Sequence, residues 1–214
     1  MGLTILFAVP AGASLTTYSS RPTFNAQGTI AYNSDFTDFG TGFGFPSGYT
    51  LFASFTRGDV TYRSQNNLTW GSGTGYTTTE PLIGNNYWTP ILADIATGPQ
   101  YSMFGFDIGT YNTSPITIEV FTSLGTYTYS SLTIANSALG LLEFRGFVAS
   151  PGEYFTGFEI SADYGSGNLP GITHVTLGDA AAVPEPSTFI AGAFLALPFG
   201  LQGIRWLRNR KQVS

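Results

Sequence analysis

The segment Ile116-Thr-Ile118-Glu-Val120 alternates apolar and polar side chains residue by residue. A strand buries one face of such a pattern, whereas a helix would scatter it around its circumference. Thr126-Tyr-Thr-Tyr-Ser130 alternates in the same way. Further runs rich in β-branched and aromatic residues read as strands: Tyr49 to Phe55, Asp59 to Arg63, Phe104 to Ile108, Leu142 to Val148, Phe158 to Ser161 and His174 to Leu177. Turn chemistry separates them, in Arg57-Gly58-Asp59, Gly84-Asn-Asn86, Ser123-Leu-Gly125, Ser150-Pro-Gly152 and Gly165-Ser-Gly-Asn168. Only 135–142 suggests a helical turn. The pattern predicts a mainly β body over residues 14–179, an antiparallel jelly-roll-like β-sandwich.

Composition agrees. Charged residues are 10% of the 214-residue chain and aromatics 15%, against roughly 25% charged in ordinary soluble domains. The net charge of −5 is unevenly spread. Arg205, Arg208, Arg210 and Lys211 cluster at the end, leaving Arg21, Arg57, Arg63 and Arg145 against twelve acidic residues between Ser14 and Val183. An acidic body is unsuited to nucleic acid, whose phosphates require a basic surface. With no cysteine there is no disulfide, thiolate nucleophile or cysteine-held metal.

The two ends read as addresses. Leu3 to Val9 is a short apolar run followed by Ala11-Gly12-Ala13, the small-x-small pattern of a signal-peptidase site. Residues 1–13 are therefore expected to be a signal peptide cut after Ala13. No basic residue precedes the apolar run, and one explanation is a start lying upstream; a first buried strand is the alternative to the signal peptide. At the other end, residues 180–188 form a small-residue and proline linker ending in Val183-Pro184-Glu185-Pro186-Ser187-Thr188. Its prolines favour an extended backbone. Residues 189–207 are almost wholly apolar and would span roughly 28 Å as a helix, near the thickness of a bilayer core. The basic end, 208–214, together with Arg205, would stay cytoplasmic. A plain single-pass anchor has these parts too. Their order, with Val183 to Thr188 as signature, resembles the PEP-CTERM sorting tail of Gram-negative bacteria. That resemblance implies processing by an exosortase, a transient inner-membrane anchor, and delivery to the cell surface or an exopolysaccharide matrix. Phe104 to Thr110, Ile116 to Phe121 and Gly171 to Gly178 resemble the ectodomain common to such proteins, with Thr173 and His174 where many relatives carry a different polar pair.

No motif names a reaction. The single histidine, His174, lies in strand sequence without a nucleophile's context. The acidic residues form no recognisable pair of glycosidase carboxylates, so a hydrolase is the least favoured reading. Gly71 to Gly75 lacks the Lys-Ser/Thr of a phosphate loop. Asp35 and Asp38 are weak candidates for a calcium-binding loop; Asp107 is a candidate ligand too, but is expected rather to cap a turn after its strand. Trp70, Tyr76, Asn85, Asn86, Tyr87 and Trp88 lie in polar, glycine-rich sequence read as loops. Aromatic faces with adjacent amides suit the C–H faces and hydroxyls of a sugar, so they are the candidate carbohydrate site; covering the edge of the core is the competing role. The reading is a non-enzymatic exported surface or matrix protein without cofactor, with a discrete carbohydrate-binding module as the alternative.

Overall fold

A computed structural model describes residues 14–39, 42–44, 54–64, 68–72, 81–85, 89–110, 115–162 and 170–181. The chain divides after Ala181, and the unit from Ala182 onward lies outside the described residues, as do the signal segment 1–13, the signature Val183 to Thr188, the apolar segment 189–207 and the basic end. Among the described residues no helix is long and apolar enough to cross a membrane.

The described strands are β1 (Thr16–Tyr18), β2 (Gly28–Ser34), β3 (Gly42–Gly44), β4 (Ser54–Arg57), β5 (Val60–Arg63), β6 (Leu68–Ser72), β7 (Leu82–Asn85), β8 (Ile91–Ile95), β9 (Met103–Thr110), β10 (Ile116–Thr122), β11 (Thr126–Leu132), β12 (Glu143–Val148), β13 (Phe155–Ala162) and β14 (Pro170–Ala180). One short helix, α1 (Arg21–Asn25), stands between β1 and β2. A 3-10 turn over Ser137–Leu139 fills the place where a helical turn was expected. All pairing between strands is antiparallel. One sheet runs β1-β12-β9-β14-β7-β6-β3, with β2 also on β14; the other runs β11-β10-β13-β8-β5-β4. From β7 to β10, and again from β11 to β14, the chain changes sheet at every step, so a strand's neighbours come from distant sequence.

The sheets meet through the alternation that the sequence displays. Ile116, Ile118 and Val120 of β10 are buried on the same core as Phe104, Phe106 and Ile108 of β9. Phe158 of β13 stacks on Phe104 at 4.8 Å and Phe106 at 5.5 Å between ring centroids, joining the two layers. Burying each such ring contributes about 1.5–3 kcal/mol.

A second apolar cluster lies on the outer face of the first sheet, where Phe24 of α1 packs on Met103 and Phe144. Gly146 admits this contact: a Cβ there would stand 2.7 Å from both the Phe24 and Phe144 rings. Gly58 turns the β4–β5 hairpin with φ +54°, while Asp59 keeps negative φ, the signature of a type II′ turn. Arg57-Gly58-Asp59 is thus the turn that its sequence announces.

Strand β14 runs farther than the sequence suggested. Ala180 pairs with Gly28 of β2 and the Ala181 amide donates to the Gln27 carbonyl. The expected linker therefore leaves directly from an interior strand of the sheet.

Candidate functional site

Two β-bulges decide where the polar chemistry of the sandwich lies. Each adds one residue to a strand and shifts which later side chains share a face.

The first bulge is in β14. Thr173 pairs with Asp107 and Thr176 with Gly105, so three steps on β14 match two on β9. His174 sits at the extra residue with φ +47°, left-handed and uncommon for histidine. Ile172, Val175 and Leu177 consequently all reach the core. His174 Nδ1 lies 2.9 Å from Asp107 Oδ2. Arg21 of α1 completes the cluster, 3.0 Å from Asp107 Oδ1, donating to Thr176 Oγ1 at 2.8 Å and to the His174 carbonyl at 3.1 Å. Its guanidinium also lies over the Phe144 ring at 4.5 Å. Asp107 therefore does not cap a turn. It sits within β9, where its carboxylate ties α1 to β14.

The second bulge is in β11. Ile118 of β10 pairs with Tyr129 but Ile116 pairs with Leu132, and Ser131 within the bulge has φ +57°. Regular alternation would put Tyr129 and Leu132 on opposite faces; with the extra residue both turn inward. They meet the inner face of β12, where Arg145 and Phe147 lie two residues apart. Phe147 belongs to the core, and Tyr129 packs on it at 5.3 Å. A cleft of about 370 Å³ opens between the sheets at this edge, lined by Thr17, Tyr18, Ser19, Tyr129, Leu132, Arg145 and Phe147, with Ile118 and Gly146. This lies in the roughly 300–1,000 Å³ range of small-molecule sites. Arg145 pairs with Glu143, whose other oxygen accepts from the Ala135 amide at 3.2 Å. The Arg145 Nε is buried yet has no hydrogen-bond partner among the described residues. Burial also raises the Tyr129 hydroxyl above its usual pKa.

Of the residues expected to bind sugar, two lie in described strands. Trp70 lies in β6, paired with Ile83, and Asn85 lies in β7, paired with Leu68. Both positions had been read as loop; a paired hairpin overrides their glycine-rich surroundings. Only their backbone is described, and Tyr76, Asn86, Tyr87 and Trp88 lie outside the described residues.

Asp35 and Asp38 are engaged within their own loop. Asp35 Oδ1 accepts from the Thr37 amide at 3.1 Å and the Thr37 hydroxyl at 2.9 Å, which lowers its pKa. Asp38 pairs with Arg57, and that hydrogen bond lowers its pKa. Among the described residues no group of three or more His, Asp or Glu is placed to hold a metal.

Of the other carboxylates, Glu153 is 2% exposed and accepts from Thr122 Oγ1 at 2.5 Å and Tyr127 Oη at 2.9 Å. Glu119 and Glu159 lie directly opposite each other on β10 and β13, and burial, then the neighbouring Glu119, raises the Glu159 pKa.

No family profile matches the chain, and no curated protein does. Solved structures of family 29 carbohydrate-binding modules show a slight likeness. One in complex with mannohexaose is 14% identical, with TM-score 0.38, covering 66% of this chain and 97% of its own. Another, from Piromyces equi, is 8% identical, with TM-score 0.35, covering 78% and 91%. Likeness this slight says nothing about what this chain binds.

Proposed function

We propose that this chain is an exported, non-enzymatic surface or matrix protein that is sorted by its C-terminal tail and associates with exopolysaccharide. The order of parts in that tail carries the reading: Val183 to Thr188, then the apolar segment 189–207, then Arg208, Arg210 and Lys211. An extended proline motif before a bilayer-length apolar segment presents a backbone that a membrane-embedded exosortase can engage. The basic end resists translocation and holds the segment in place until cutting. Upstream, the sandwich supplies the cargo, with its last strand paired to β9 as far as Gly178 and to β2 as far as Ala180, the first residue of the expected linker.

Intact mass spectrometry of the protein recovered from outside the host cell tests the reading. A mass lacking the residues beyond about Pro186 supports sorting and cleavage. The uncut tail, recovered in the membrane, would make it a plain anchor.

A further inference from the structure

We infer that the edge cleft between β1–β12 and β10–β11 is a binding site for a neutral saccharide, with Arg145 as its principal hydrogen-bond donor. This deepens the polysaccharide association proposed above and assigns it to residues other than Trp70 and Trp88.

The argument begins with Arg145. On β12, Glu143, Arg145 and Phe147 share a face, and Phe147 marks that face as the one turned to the other sheet. An inward-facing arginine loses its hydration, so its donors require acceptors. One guanidinium nitrogen meets Glu143, but the buried Nε–H meets nothing among the described residues. A buried donor without a partner is uncommon enough in folded proteins to need a cause. Inward charges do protect sheet edges from pairing with other chains. That role is fulfilled by the ion pair; the Nε–H itself is sealed from solvent, while the Arg145 side chain keeps 30% of its surface exposed and lines the cleft, where a ligand can reach it.

The walls of the cleft identify the occupant. Tyr129 and Phe147 supply aromatic surface, and Leu132 and Ile118 supply aliphatic surface. Thr17, Ser19 and Arg145 bring hydroxyl and guanidinium groups to the same cavity. A pyranose has the matching duality, apolar C–H faces ringed by hydroxyls that accept and donate. A purely apolar ligand would leave the Arg145 donor unsatisfied. A flat aromatic heterocycle would leave the hydroxyl side chains without use.

Charge selects among saccharides. Glu143 neutralises Arg145 locally, and the residues from Ser14 to Val183 carry twelve acids against four arginines. A uronic-acid polymer would meet a repulsive field at every repeat along this surface. A neutral glycan meets none.

The edge position also suits a polymer. β1 is the outermost strand of its sheet and β11 of the other, so the cleft lies at the open side of the sandwich. A chain can enter there with one or two sugar units inserted and the rest in solvent. The Ser131 bulge is essential to this geometry, because without it Tyr129 and Leu132 would not both face the cavity.

The test is affinity electrophoresis of the full-length protein in a detergent without a sugar headgroup. The gels contain dextran, laminarin, glucomannan or the host's own neutral exopolysaccharide, with alginate and polygalacturonate as acidic counterparts. Retardation by at least one neutral polymer and by neither acidic one is expected. Arg145→Gln should weaken it about tenfold or more, the usual effect of removing a charged hydrogen-bond donor. Leu132→Trp, which fills the cavity, should do the same, and it keeps the test valid if Arg145→Gln fails to fold. Near-ultraviolet circular dichroism verifies each variant's packing. Binding that survives both substitutions but is lost in Trp70→Ala or Trp88→Ala would overturn the cleft while leaving the matrix association standing. Tighter binding of the acidic polymers would overturn the neutral assignment. No retardation by any polymer would remove both the site and the polysaccharide association, leaving the sorting route to its own mass measurement.

Discussion

The two bulges invite comparison because an arginine meets each of them, with opposite results. At the β14 bulge, Arg21 is engaged on every side: Asp107, Thr176, the His174 carbonyl and the Phe144 ring. At the β11 bulge, Arg145 has only the Glu143 ion pair, its Nε–H is buried without a partner among the described residues, and its side chain lines the cleft. A satisfied buried charge fastens elements together. One that keeps part of its surface exposed on the wall of a cleft is available to a ligand. The histidine and aspartate that would attract attention as a catalytic pair thus belong to a fastening, while the less conspicuous edge holds the cleft.

The largest effect expected from breaking this comparison is on stability. Arg21→Ala takes the charged partner from Asp107, whose side chain is only 19% exposed, and leaves it His174 alone. Loss of one partner from a buried pair costs about 3–5 kcal/mol, and exposed pairs are worth about 0–1 kcal/mol. Partial exposure of Arg21 and Asp107 puts the expected loss at about 2–3 kcal/mol, read by urea unfolding. Polysaccharide retardation should be unchanged. A loss of stability below about 0.5 kcal/mol would mean that the cluster is not a fastening.

Tyr101→Phe comes next and extends the rule to another satisfied group. The Tyr101 hydroxyl donates to Asp59 Oδ2 at 2.5 Å, and that bond raises its pKa to about 12. Removal should cost about 1–2 kcal/mol. The sign in alkali follows from linkage. Unfolded tyrosine ionises near 10 and the folded group near 12, so the unfolded state sheds its proton first. Stability from this bond is whole below pH 10 and is lost as pH rises through about 12. The alkaline fall should be shallower in Tyr101→Phe, as followed by thermal melts at stepped pH.

Arg145→Lys sharpens the contrast from the other side. Lysine can keep the ion pair with Glu143 but loses the planar fork. Stability should change by less than about 0.5 kcal/mol while retardation by neutral polysaccharide falls.

The smallest effect is a gain. Glu159→Gln removes one of two facing carboxylates on the outer face of the second sheet and should stabilise by a few tenths of a kcal/mol at neutral pH, after discounting for solvent screening. The wild-type pair favours folding as pH falls through the raised Glu159 pKa, because the folded state then holds more protons. That dependence should flatten in the variant's melts.

The strands that build the core were legible where one face is apolar and pairing is regular. β10 follows directly from its alternation, and β9, β12 and β13 from their β-branched and aromatic content. β6 and β7 were hidden because glycine and polar residues dominate them, and pairing in a hairpin overrode that composition. α1 has only five residues, too few for a helical period, although Pro22 near its start is a helix-opening signal. The sites were less legible than the strands for a specific reason. A period-two reading assumes an unbroken register, and both bulges break it. One extra residue at His174 turns it beside Asp107, and one at Ser131 turns Leu132 inward with Tyr129. The cleft further requires Thr17, Tyr129 and Arg145 to converge from separate strands of two sheets. The inward charge on β12, between Phe144 and Phe147, was the one local hint.

The most direct test of the difference between the two arginines is side-chain nuclear magnetic resonance of their Nε–Hε groups, assigned with Arg145→Lys and Arg21→Lys, during titration with a neutral oligosaccharide from whichever polymer retards the protein. The Arg145 signal should shift saturably and gain protection from exchange with water, while the Arg21 signal stays in place. An Arg145 signal that remains unmoved at saturating glycan, or an Arg21 signal that moves as far, would contradict the account.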